Sequence, residues 1–192
     1  MIEKKFMKRL YTPRDFYRLL GDLMSSGGDL RGKSNRTQIS EQFAERLMLA
    51  VTEVNGCRYC SYFHSRMSLK TGLKNEEITR VLDGDFADAP QEELAALYFA
   101  QHYAESGEKP DLETVETLTN SYGEKKTKAI FAYIRAIMIG NAWGNMFNSF
   151  GNRLKGAPTP EISLFDEIGV IFGPIIFTPI ILITNLFKKI SL

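Results

Sequence analysis

Glu45, Cys57, Cys60 and His64 stand in the order E-x11-C-x-x-C-x3-H, and Cys57 and Cys60 are the two cysteines of a 192-residue chain. Thiols three residues apart can close a disulfide, and a histidine four residues beyond the second can take its proton. If a helix runs from Cys57 to about Gly72, all three side chains share one face. A thiol near a helix N-terminus has its thiolate favoured by the positive end of the dipole. Cys60, within reach of His64, is therefore the expected nucleophile. Cys57 lies one turn nearer the N-terminus and further from the base, which makes it the natural partner for closing a disulfide after oxidation.

The apolar helical pattern before this pair breaks at Asn55-Gly56, where the chain can reverse. If the helix carrying Glu45 packs antiparallel to the next one, Glu45 and His64 both lie roughly 14 to 15 Å from the corner, at one level. The carboxylate could then orient the imidazole directly or through a water. Glu41 and Glu53 are nearby competitors for that role. His102, the other histidine, reads as a helix-surface or satisfied core residue. Two further readings of the pair exist: inert buried thiols, or three zinc-type ligands lacking a fourth and crowded on one helix.

The run from Glu45 to His64 resembles the active-site motif of the alkylhydroperoxidase D family, within the carboxymuconolactone decarboxylase superfamily. The resemblance implies that Cys60 attacks a hydroperoxide substrate, Cys57 resolves the product, and Glu45 with His64 forms a proton relay. It also implies a homo-oligomer. One position departs: Tyr59 stands where the best-known members carry His or Asp. No bound cofactor or metal is expected. The thiols would be restored by an external dithiol, from a lipoyl-like or thioredoxin-like reducing protein partner. The same CxxC could instead serve a disulfide reductase or redox relay. A decarboxylase-type lyase would use the histidine for acid-base work without cysteines, so the CxxC argues against it. A non-catalytic, membrane-tethered interaction module would have no acidic thiol.

The elements that must position these residues are helical throughout. Pro13 to Met24 reads as an N-terminal helix, Ser25 to Asn35 as a loop, and Asn75 opens a short helix that Gly84 stops. Pro90 opens another to about Glu105, and Asp111 caps the next. The longest begins at Glu124 and runs to about Phe150, with Ala129, Ile130, Tyr133, Ile134, Ile137 and Met138 as its apolar stripe. Asn141, Asn145, Asn148 and Asn152 form a polar stripe on it, suited to an interhelical hydrogen-bond seam or a pocket lining. The expected fold is all-α: residues 1–34 as an N-terminal helix and loop, 35–157 as the catalytic helical domain, and 158–192 as an apolar tail.

Composition fits a globular enzyme, at 44% hydrophobic, 24% charged and a formal net charge of +1. Such a balance argues against nucleic acid as a partner. Met1 to Arg9 contains no apolar segment of the kind a secretory signal needs, so a reducing cytoplasm is the expected location. The tail is the exception to this even composition. Residues 168–187 carry no charge and end at Lys188-Lys189. Length alone permits a membrane span, but Gly173-Pro174 and Thr178-Pro179 should interrupt a helix. Peripheral membrane association and burial against protein are the other readings.

Overall fold

The computed structural model describes residues 6–30 and 39–190. Every α or 3-10 element among them is helical, in the order α1 (Pro13–Leu30), α2 (Glu41–Asn55), α3 (Arg58–Lys70), α4 (Asn75–Leu82), a 3-10 turn (Gln91–Glu93), α5 (Leu94–Glu105), α6 (Leu112–Leu154), α7 (Leu164–Ile171) and α8 (Gly173–Ile190). The chain is all-α, as its periodicity predicts.

Side-chain caps set several of the starts. Ser40 accepts the Phe43 N–H at 3.0 Å and Asp111 accepts the Thr114 N–H at 2.8 Å. Ser163 and Asp166 close a reciprocal capping box on α7. α6 is broken at Gly123, with φ 72° and ψ 159°, so its long arm starts at Glu124 as the sequence suggests.

α2 and the long arm of α6 hold the centre. α2 packs against α3, α4, α5 and α6, while α1 lies along α6. Leu47, Leu49 and Val51 from α2 meet Leu97 and Ala100 from α5 and Ile130, Ile134 and Met138 from α6 in one buried core. Each large aliphatic side chain buried there contributes roughly 1.5–3 kcal/mol. Arg46, next to Glu45, is buried between Glu77 at 2.6 Å and Glu93 at 2.9 Å. That clamp ties α2 to α4 and to the 3-10 turn and fixes which face of α2 looks toward α3.

Two expectations change. The loop expected from Ser25 begins later, because α1 continues to Leu30. The hydroxyls of Ser25 and Ser26 fold back onto the Asp22 carbonyl at 2.6 and 3.2 Å, and Arg135 reaches Ser26 at 2.5 Å. Serines that would favour a turn are thus satisfied within the helix. Residues 31–35 of that expected loop lie outside the described residues. In the tail, Pro179 sits inside α8 instead of ending it. Ile175, whose carbonyl loses its donor, and Pro179 both lie on the exposed side, so the lost bond is not sealed in the core. The interruption at Gly173-Pro174 does occur, and α7 and α8 meet there at a 61° bend.

Among the described residues no single helix is long and apolar enough to cross a membrane. α7 packs on α6, and α8 packs on α1. Val170 and Ile181 are buried, Phe177 meets Tyr17 edge to face at 5.5 Å, and the Trp143 indole donates to the Ile171 carbonyl at 2.9 Å.

Candidate active site

The site is built on the corner between α2 and α3. Gly56 ends α2 in the left-handed conformation (φ 65°, ψ 37°), where a side chain would be strained, and its N–H closes back on the Thr52 carbonyl at 2.9 Å. Asn55 beside it is fully buried. Its side-chain oxygen accepts from the Tyr11 hydroxyl at 3.3 Å, and its backbone carbonyl accepts from Asn145 Nδ2 at 2.9 Å. The Met7 N–H donates to the Gly56 carbonyl at 2.8 Å. The corner is therefore held from the N-terminal segment and from α6 at once, and α3 starts from a fixed point.

The level match expected across that corner appears as a direct bond: His64 Nδ1 lies 2.9 Å from Glu45 Oε2, with side chains only 12% and 10% exposed. A carboxylate on Nδ1 fixes the imidazole so that Nε2 is the nitrogen free to take or give a proton. The competing groups lie elsewhere. Glu41 is exposed, Glu53 pairs with Lys8 at 2.8 Å, and His102 lies 3.3 Å from Asp111 on a partly exposed helix face.

Cys57 is the N-cap of α3. Its sulfur accepts the Cys60 N–H at 3.2 Å, and the two Sγ atoms are 2.6 Å apart, both as free thiols. The Cys60 S–H, donating to Cys57, does most to hold the Cys57 thiol below the ordinary cysteine range. Burial opposes this, and the N–H groups of Cys60 and Tyr59 add to it. The same contact, together with burial and the neighbouring negative sulfur, pushes Cys60 up. The more acidic thiol is thus Cys57, as its place at the helix N-terminus favours, although Cys60 is the thiol expected to attack. Access runs the other way. Cys57 is wholly buried, whereas Cys60 lines a cavity of about 760 Å³.

His64, Tyr59 and Phe63 from α3 line that cavity with Cys60, and α6 supplies the facing wall with Ile137, Gly140, Trp143, Gly144 and Phe147. Apolar groups dominate it, so a charged sulfur or a leaving oxyanion inside would be poorly screened and dependent on His64. The α6 wall was not found by motif reasoning. A β-carbon at Gly144 would stand 2.6 Å from Cys57 Sγ and 3.6 Å from Cys60 Sγ, so glycine is what lets α6 close over the two sulfurs. Gly140, a turn earlier, would place one 3.9 Å from Cys60 Sγ. The signal available in the sequence was the small-residue spacing G-x-x-x-G on the longest helix.

The asparagine stripe lies on another face and reads as the interhelical seam. Asn141 accepts from the Thr52 hydroxyl at 3.1 Å, and Asn145 donates to the carbonyls of Arg9 and Asn55, each at 2.9 Å. Asn148 and Asn152 are only partly buried. Among the described residues, no three His, Cys, Asp or Glu side chains gather as metal ligands.

No curated protein and no solved structure matches the chain. Residues 23–102 do match a family model, and that stretch holds Glu45, Cys57, Cys60 and His64 while leaving out the α6 wall. The family so matched is the carboxymuconolactone decarboxylase family, to which this segment is similar.

Proposed function

We propose that the protein is a thiol peroxidase of the alkylhydroperoxidase D type, reducing hydroperoxides through Cys60 and Cys57. The observation that carries this reading is that His64, held by Glu45 at 2.9 Å, lines the same cavity as Cys60, the one cysteine with access. A lyase would use the histidine but has no use for an acidic thiol beneath it.

The steps follow from the two thiols' different surroundings. The Cys60 proton passes to His64 Nε2, and the Cys60 thiolate attacks the terminal oxygen of ROOH. The S–O bond forms as the O–O bond breaks, so sulfur is oxidised to sulfenic acid while the departing RO⁻ takes the proton from His64 and leaves as ROH. The Cys57 thiolate then attacks the Cys60 sulfur, the disulfide closes, and hydroxide leaves, taking a proton from solvent to become water. A dithiol donor attacks the accessible Cys60 sulfur and expels Cys57, whose favoured thiolate makes it the better leaving group. A lipoyl-like or thioredoxin-like protein supplies such a dithiol.

Mass spectrometry after one equivalent of peroxide tests this. Wild type is expected to lose two hydrogens as a disulfide, Cys57→Ser to stop at a trappable sulfenic acid, and Cys60→Ser to stay reduced. Glu45→Gln should slow the first oxidation within the roughly 10²- to 10⁴-fold that acid-base assistance supplies. Oxidation of Cys60→Ser at the wild-type rate would reverse the thiol roles, and no oxidation of wild type would remove the peroxidase reading. Rapid exchange with a small disulfide but not peroxide would favour the reductase reading.

A further inference from the structure

The cavity does not end in water-loving surface. Tyr59 is 54% exposed, Phe63 57% and Trp143 41%, so its rim is aromatic and open. Trp143 joins this rim to the tail, because its indole both lines the cavity and donates to the Ile171 carbonyl at the bend. On both sides of the bend the tail has two faces. Val170, Ile181 and Phe177 pack inward, while Phe165, Phe172, Ile175, Leu182, Leu186 and Phe187 face outward, between 50% and 77% exposed. No charged residue interrupts 168–187, and the last turn of α8 carries Lys188 and Lys189.

An apolar surface of this extent needs a partner. A second protein copy would be expected to meet a polar rim of paired groups around an apolar centre. Here aromatic residues edge a face to which 168–187 bring no charge, and Lys188-Lys189 follow in the sequence; this is the pattern of a helix lying in a lipid interface, with a basic pair suited to anionic headgroups. Neither α7 nor α8 alone is long and apolar enough to cross a bilayer, and the 61° bend between them sets them apart from one straight span.

We propose that the outer face of α7 and α8 docks on an anionic lipid bilayer and seats the aromatic rim of the cavity there, so that acyl-chain hydroperoxides reach Cys60 from the membrane. The substrate half rests on the peroxidase reading above, and the docking half stands without it. The reaction is the one already balanced, with R an acyl chain. The lipid hydroperoxide leaves as its alcohol.

Flotation of the full chain with vesicles of phosphatidylcholine and phosphatidylglycerol tests the docking, and turnover on hydrogen peroxide and on phospholipid hydroperoxide in the same vesicles, with a dithiol donor, tests the substrate. Ile175→Glu with Leu182→Glu, seven residues apart on one side of α8, is the variant. Wild type should float. The variant should stay with the unbound fraction, keep the wild-type rate on hydrogen peroxide, and lose at least about tenfold on vesicle hydroperoxide, since two large apolar groups leave the interface. Phe165→Glu, at a position 77% exposed in the first turn of α7, is the second variant should the first lose helicity by circular dichroism. Wild type that does not float overturns the docking even if hydrogen peroxide is consumed. Wild type that floats but reduces neither peroxide overturns the peroxidase reading and with it the substrate, while leaving the docking surface. A dimer by light scattering that the variants dissociate, with no flotation, gives the face to a second copy.

Discussion

At the scale of single residues, the two thiols divide acidity and access between them. Cys57, capping α3, accepts from the Cys60 thiol and from backbone N–H groups, and these bonds outweigh burial. Folding lowers its pKa, so the thiolate is retained as pH falls below the ordinary cysteine range and is lost only when pH passes the lowered value. Thiolate absorbance during a pH titration of the reduced protein should therefore show one sulfur ionising below the ordinary cysteine range and the other above it. In Cys57→Ser the low-pH step should vanish. If instead Cys60→Ser removes it and Cys57→Ser leaves it, the cap assignment is wrong. The Glu45–His64 bond was legible in the sequence because equal distances from a corner follow from helix rise alone. Which thiol is the more acidic was not, since it depends on the Cys60 S–H donating to Cys57 across 2.6 Å, a contact that spacing alone does not fix.

At the scale of elements, the site depends on how closely α6 approaches α3. The corner at Asn55-Gly56 and the period of the long arm could be read from the chain, because both are local signals. The approach itself could not, because it joins residues more than eighty positions apart. Gly144 carries it: Gly144→Ala would force a methyl to 2.6 Å from Cys57 Sγ. Rigid backbone stands behind that atom, as Cys57 caps α3, so the helices must part or the sulfurs must turn. Overpacking of this kind typically costs about 1–3 kcal/mol. The sulfenic acid formed on Cys60 should also be resolved more slowly, because the sulfurs no longer meet. Stopped-flow trapping of sulfenic acid reads this: a longer-lived intermediate in Gly144→Ala than in Gly151→Ala, where a β-carbon meets nothing within 4 Å, is expected. Equal lifetimes would mean that α6 does not set the sulfur geometry. The same long-range dependence explains why Ser25 and Ser26 were read as loop. Their helical state draws on Arg135, far along the chain.

At the scale of the whole molecule, the tail belongs to the body as well as facing away from it. A run of apolar residues has no periodic contrast, so the sequence could not show that one side of 168–187 is core and the other open. What anchors it is polar and buried. Glu167 on α7 is fully buried and accepts from Arg153 Nε at 2.5 Å and from the Ser149 hydroxyl at 2.6 Å, both on α6, while Arg153 also donates to the Ile162 carbonyl at 2.7 Å. Such a pair gains little over an apolar replacement of both partners, but removing one leaves a charge with no solvent. Arg153→Met should therefore cost about 3–5 kcal/mol, which for a chain of this size lowers the melting temperature by roughly 6–20 °C. Arg153→Met with Glu167→Met should recover most of that loss. Thermal unfolding followed by circular dichroism distinguishes the cases. If Arg153→Met melts with wild type, α7 is held by its apolar contacts alone. If the double variant is no better than the single one, the loss came from the Arg153 stem and its Ile162 bond rather than from an orphaned carboxylate. A drop in the single variant with recovery in the double one makes the Arg153–Glu167 pair the hinge on which the tail is fixed to α6, and through Trp143 to the wall of the cavity.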